Sequence, residues 1–409
     1  MGKNKKYDGY KAYQYLTPGI DYKEYKFRKA IKEEWAFAVP LSKSEEERVE
    51  EILEKNIVID LHEHPTLMPV NYQECVEHWS EGREFMAYEA LSYSGLDAVF
   101  DNMMNGSATI TSKHGWKWSD TIYDLGQRLC DIAQQNFAIH CKKVDDIITA
   151  FNTGRLAWVA VLESASSIEN EVDRIDILYG LGIRAMGLCY SESNMLGSGL
   201  KEIRDSGLSD FGYDAIMRMN KVKMLIDISH VSDQTALDAI EASKKPIMIS
   251  HAGARALLPI RRLFPDEVLQ ALAERNGIIG IEAAPGYTAT KDTPIPTIDT
   301  YMEHLEYCIN LMGIDHVGCG PDTLYGDHVG FYRLMEERQK KAGLGHYIRP
   351  GFIGDGSNIE ALPDYVLGME NPTECLHNVT RWLIKHGYSD HEITKIIGGN
   401  ALRLLKQVW

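Results

Sequence analysis

The chain has 409 residues, of which 44% are hydrophobic and 25% charged, with a formal net charge of −16. This is too long for one small sandwich and has the ordinary balance of a globular protein. The acidic balance, offset only by the short GKNKK start, argues against nucleic acid or an anionic membrane surface as partner.

Residues 1–50 read as a Lys-, Glu- and Tyr-rich extension. A serine cap at Ser42 or Ser44 opens a helix before the first strand. Residues 51–409 read as one domain. Its first element is IVIDLHEHP, from Ile57 to Pro65, a short apolar run stopped by a proline, which predicts a buried strand. Side chains two apart on a strand share a side, so His62 and His64 stand together at its carboxyl end with Glu63 turned away. A strand follows at 97–103, then an amphipathic helix over TIYDLGQRLCDIAQQNFAIH. Strands are predicted at 157–163, 183–189, 223–230, 246–251, 277–282 and 316–322. Helices are predicted at 175–181, 213–221, 234–242, 265–275 and 298–312. Residues 323–365 read as a long Gly/Pro/Tyr-rich loop, suited to a lid or a dimer contact. Residues 372–409 read as two helices broken at Gly398-Gly399.

Eight strands, most separated by helices, predict an α/β fold. The expectation is a (β/α)8 TIM-type barrel with an N-terminal helical extension and C-terminal helices. A doubly wound sheet wants a Gly-rich turn after its first strand, and none is present.

In a barrel the carboxyl ends of the strands share one mouth. Those ends carry His62 and His64, then Glu163, His230, His251 and Asp322. Each alone fits an ordinary rim residue. Together they are a donor set for one or two divalent metal ions. His78, His114, His140, His346, His377, His386 and His391 fall in loops or helices and read as surface residues, while His316 and His328 stay unassigned.

The seven cysteines, at 75, 130, 141, 189, 308, 319 and 375, are odd in number and form no CxxC, which suits free thiols in a reducing compartment. MGKNKK has no apolar leader core and lacks the Ser/Thr of a myristoylation signal, and no apolar run is long enough to span a bilayer. The expectation is a soluble cytoplasmic protein.

Several stretches resemble the membrane (renal) dipeptidase family of the amidohydrolase superfamily. They are LIDISHVSDQT, PIMISHAGARAL, PDEVLQALAERNGIIGIEAAPGY, HVGCGPD, DYVLGMENPTE and IIGGNALRLL. The resemblance runs from about Ile57 to the C-terminus and implies a binuclear zinc barrel that cleaves a dipeptide or similar small carboxylate-bearing amide. By motif, one ion would take His62, His64 and Glu163, and the other Glu163, His230 and His251. A hydroxide between them would attack, and Asp322 would move the proton. Arg262 matches the arginine that grips a substrate carboxylate, with Arg261 as a competing candidate. A homodimer is implied by the resemblance alone.

Two departures bear on the substrate. The family usually has His-x-Asp on strand 1, where this chain has His64. It also has a substrate-contacting histidine after strand 4, where this chain has Tyr190, with Asn194 still following. A phenol donates one hydrogen bond but carries no positive charge near neutral pH. A non-peptide substrate of the same metal site (lactone, cyclic amide or decarboxylation) is therefore the alternative, and a non-catalytic metal-binding protein a third reading.

Overall fold

The computed structural model describes residues 6–31, 36–103, 117–341 and 362–409. Its strands are β1 (Ile59–Leu67), β2 (Ala98–Asn102), β3 (Ala138–His140), β4 (Leu156–Leu162), β5 (Ile183–Gly187), β6 (Leu225–Asp227), β7 (Met248–Ala252), β8 (Ile278–Ile281), β9 (Val317–Cys319) and β10 (Leu324–Tyr325). The helices are α1 (Lys43–Lys55), α2 (Tyr72–Ser80), α3 (Tyr88–Leu91), α4 (Trp118–Ile132), α5 (Val144–Thr153), α6 (Arg174–Leu181), α7 (Asp210–Val222), α8 (Asp233–Ala242), α9 (Asp266–Glu274), α10 (Ile298–Met312), α11 (His328–Lys341), α12 (Cys375–Lys385), α13 (Asp390–Thr394) and α14 (Asn400–Val408).

Strands β1, β2, β4, β5, β6, β7, β8 and β9 pair in that order, all in parallel. The predicted eighth strand is split. Its first half, β9, pairs with β8, and its second half, β10, pairs with β1. The four residues between them lie between the first and last strands. Gly320 N donates to Ile281 O, Ala283 N to Pro321 O, Asp322 N to His62 O and His64 N to Thr323 O. The (β/α)8 ring closes through these bonds.

The strands read as apolar runs because helices cover their outer face and a packed interior fills the other. Ile59, Leu61, Phe100, Val159, Val161 and Met248 form that interior with Leu404, Leu405 and Val408 of α14. Helix α14 lies at the amino ends of the strands, where Arg403 donates to Asn276 O and Asp315 O. The opposite, carboxyl end is left for polar groups.

Five expectations need correction. First, Pro65 does not stop β1. The strand runs on to Leu67, because at that position the neighbouring segment asks proline only for its carbonyl, which accepts Ala87 N. Second, FAIH is not helical. Helix α4 ends at Ile132, where Gln135 donates to Ile132 O and Ala138 O and accepts from Ala138 N, turning the chain into β3. Third, 323–365 is not all loop, since it holds β10 and α11; residues 342–361 lie outside the described residues. Fourth, the C-terminal stretch is more than two helices: it breaks at Gly387, which has a positive φ of 83°, as well as at the expected Gly398, whose φ of 176° and ψ of −25° leave the helical range. A side chain on Gly398 would collide with the carbonyl of Ile57, so that glycine serves close packing. Fifth, His78 and His377 are buried: His78 packs among Tyr25, Phe27 and Phe85. His114 and His346 lie outside the described residues.

Helix α1 starts with a reciprocal capping box between Ser42 and Glu45. The arm before it is built into the core. Tyr10 Oη and Tyr13 N both donate to Asp131 Oδ1 on α4, and Tyr88 Oη donates to Asp131 Oδ2.

Candidate metal centre

The first strand changes parity within itself. Ile59 and Leu61 face the interior, and so do His62 and His64. The register shift between Asp60 and Glu63 absorbs the difference, a bulge placed next to polar groups at the mouth. Glu63 turns the other way, and its carboxylate accepts Thr323 N and Thr323 Oγ1. The remaining expected donors lie just beyond their strands, Glu163 after β4, His230 after β6 and Asp322 after β9, while His251 is within β7.

All six expected side chains meet. Glu163 Oε1 lies 2.7 Å from His230 Nε2, 3.2 Å from His251 Nε2 and 3.9 Å from His62 Nε2. Asp322 Oδ1 lies 3.4 Å from His62 Nε2 and 3.2 Å from His64 Nε2. His62 and His251 stack at 3.5 Å between ring centroids, and the Nε2 atoms of His230 and His251 are 3.0 Å apart. His62, His64 and Asp322 form one group able to hold a metal ion, and Glu163, His230 and His251 another.

What fixes the imidazoles is the far nitrogen of each ring. His64 Nδ1 lies 3.2 Å from Asn102 O, and a carbonyl can only accept, so Nδ1 carries a proton and Nε2 is the nitrogen a metal would take in exchange for any second proton. His230 Nδ1 rests on Ser191 Oγ at 3.3 Å. His251 Nδ1 meets Ser250 Oγ at 2.7 Å, and that hydroxyl donates to Asp227 Oδ2 at 2.5 Å. His62 Nδ1 is 3.4 Å from the same hydroxyl. Backing of this kind orients ligand histidines in metal sites. Asp227 and Ser250 were not singled out from the sequence; the Asp-x-Ser-His of LIDISH and the Ser-His of PIMISH were the available signal.

The two halves differ in charge. Burial pushes the Glu163 carboxyl up to about 8, partly offset by His64, and burial pulls His230 and His251 well below the ordinary imidazole value. At His64 burial also disfavours the charge, but Asp322 outweighs it and raises the ring to about 9. Burial works against the Asp322 carboxylate too, yet His62 and His64 hold it well below the usual range. Burial thus favours the neutral forms of Glu163, His230 and His251 in one half, while His64 and Asp322 form an ion pair in the other. Asp322 has a positive φ of 55°, a strained backbone state for a non-glycine residue.

The donor set fits divalent metal. It is rich in imidazole, has one carboxylate in each half, and Nε2 atoms converge on it. Glu163 Oε2 and Asn102 Oδ1 are buried without a hydrogen-bond partner among the described residues, which leaves acceptors for a cation.

The expected substrate contacts sit differently. The Tyr190 ring lies 4.4 Å from that of His230, at the mouth. Asn194 braces its own loop: its amide donates to Leu188 O and Ser166 Oγ and accepts Leu196 N. Arg262 is fully buried, 2.9 Å from Glu282 Oε2, donating to His251 O and Ser229 O, with its guanidinium 5.4 Å over the Tyr287 ring. Arg261 is exposed and donates to Glu202 O. His328, unassigned from sequence, arrives at the site at the start of α11, its Nε2 3.9 Å from Asp322 Oδ2.

Behind His64 lies a second buried network. Arg128 bridges Asp101 and Glu84, and Trp158 Nε1 donates to Asp101 Oδ2.

Among known proteins, the chain is 28% identical over 287 residues to Dipeptidase tcpJ of Claviceps purpurea (strain 20.1), covering 70% of this chain. It spans 58% of that curated relative's length. An amidohydrolase from Pseudomonas aeruginosa superposes with a TM-score of 0.69 at 26% identity, covering 88% of this chain and 99% of the other. A metallo peptidase from Rhodobacter sphaeroides, liganded with a phosphinate mimic of the dipeptide L-Ala-D-Ala, superposes with a TM-score of 0.65. At 17% identity, covering 87% and 100% of the two chains, it shares the fold. The family model described as membrane dipeptidase (peptidase family M19) matches residues 46–332, well over half the chain and all six donors of the mouth, and the chain belongs to that family.

Proposed function

We propose that this protein is a metal-dependent hydrolase of small amides that carry a carboxylate, dipeptides among them. The observation that supports this most is the meeting of six side chains from five different strands, with the His251 and His64 Nδ1 atoms held so that Nε2 faces the centre. His62 and His64 would hold one ion and His230 and His251 the other, with Glu163 between them. Two divalent ions, zinc by family resemblance, would polarise a carbonyl and make water acidic enough to attack near neutral pH. Asp322 takes a proton from the attacking water and carries it to the leaving nitrogen. Arg262 is assigned to the substrate carboxylate, a role in which it shares its fork with Glu282. The seven free cysteines favour a reducing compartment, so we place the protein in the cytoplasm. Among the described residues no helix is long and apolar enough to cross a membrane. A homodimer, and residues 51–409 as the catalytic unit with 1–50 as its extension, belong to the same proposal.

The test is turnover by metal-loaded protein of a dipeptide panel that includes D-residues and L-Ala-D-Ala. Loss on chelation and recovery with zinc is the expected result. No turnover of any member rejects the reading. A second reading, a lactone or cyclic amide on the same centre, is favoured by the Tyr190 phenol lying over His230. Turnover of lactones in place of dipeptides selects it.

A further inference from the structure

The polar groups of the mouth are not equally accessible. The side chains of His62 and His251 are 1% and 0% exposed, those of His64 and His230 7% and 8%, and those of Asp322 and His328 11% and 10%. Asp322 and His328 lie on the accessible edge of the mouth, together with His64, His230 and the half-buried Tyr190. Asp322 faces two ways across that edge. Its Oδ1 is turned to His62 and His64, and its Oδ2 to His328 Nε2 at 3.9 Å. That separation is too long for a direct hydrogen bond, but a single atom about 3 Å from each can touch both.

His328 is held in place. Tyr72 Oη donates to Asp327 O and accepts Asp327 N, Asp327 Oδ1 accepts Gly330 N in the first turn of α11, and the His328 ring packs on Tyr332 at 5.0 Å. Arg28 of the N-terminal arm lies 5.0 Å over the Tyr72 ring, so the arm supports the same turn. Burial pulls the His328 imidazole down to about 4, which leaves a neutral ring with one donor and one acceptor.

We propose that His328 is a further catalytic residue, hydrogen-bonding the leaving-group nitrogen while Asp322 protonates it. The inference rests on the amide hydrolase reading above. The step balances with one water. Its oxygen ends on the carbonyl carbon, one of its protons passes through Asp322 to the nitrogen, and the electron pair of the broken C–N bond leaves with the nitrogen. A nitrogen leaving group brings an N–H for His328 to accept. An ester oxygen brings none and departs with less help from a proton.

The experiment compares a dipeptide with its depsipeptide, the same molecule with the amide N–H replaced by an ester oxygen. His328→Leu is expected to lower kcat/KM for the dipeptide about tenfold or more beyond its effect on the depsipeptide, chiefly in kcat. His328→Gln, which keeps an acceptor, recovers part of the loss. Metal content stays that of the wild type. Equal losses on both substrates, no loss, or loss of metal from His328→Leu overturns the assignment. Wild-type protein that turns over neither compound rejects the hydrolase reading itself. Wild-type turnover unaffected by His328→Leu rejects only the role of His328.

Discussion

The hydroxyl of Ser250 lies 2.7 Å from Nδ1 of His251 and donates in turn to Asp227. One serine thus ties a carboxylate to an imidazole whose other nitrogen faces Glu163, and it reaches His62 as well.

Ser250→Ala should weaken metal binding by about 10- to 100-fold without unfolding the barrel, because the His251 ring loses the partner that sets its tautomer. Competition with a chelating dye measures the affinity. Wild-type affinity in the variant would show that the hydroxyl does not orient the ring.

The His64–Asp322 ion pair makes stability depend on pH in the chelated protein. His64 is raised from its ordinary 6.5 to about 9. Its contribution is complete below its unfolded value and is lost as pH rises through about 9. Asp322 is depressed, so its contribution is present above the ordinary carboxylate value and is lost only as pH falls through its lower folded value. Thermal unfolding from about pH 6 to about pH 10 should show the chelated wild type losing Tm relative to His64→Gln. Parallel curves for the two proteins contradict the pairing.

Asp322→Asn should abolish turnover, a loss of about 100- to 10,000-fold, while metal content is retained. Steady-state rates and elemental analysis on the same preparation decide it. Full activity in the variant removes Asp322 from proton transfer.

Arg128→Met should cost about 3–5 kcal/mol of stability, because it strands the buried Asp101 and Glu84 carboxylates that the guanidinium now bridges. Urea denaturation followed by circular dichroism reads the loss. A change under about 1 kcal/mol would mean that the two carboxylates do not depend on the guanidinium. Burial raises Glu84 to about 7 against the opposing pull of Arg128.

Much of this centre was legible in the chain. Strand-helix alternation implies a ring, a ring gathers carboxyl ends, and the residues at those ends are then neighbours whatever their separation in sequence. That logic reaches His62, His64, Glu163, His230, His251 and Asp322. It does not reach His328, which depends on β10 and α11 forming in a stretch rich in turn residues. Nor does it say where a side chain spends its hydrogen bonds: Asn194 matches a motif position but its amide serves its own loop, and Arg262 is already paired with Glu282. Gln135 illustrates the same limit for backbone, since one amide side chain ends α4 early and starts β3.

The split between β9 and β10 puts Asp322 at the seam where the two ends of the barrel are stitched. A nascent chain leaving the ribosome presents His62 and His64 early, yet the carboxylate they share, Asp322, follows only after some 260 further residues are made. Glu163, His230 and His251, by contrast, come from strands near the middle and can group sooner. Full ion capture is thereby coupled to completion of the ring, a long-range closure that comes late because its loop entropy must be overcome first.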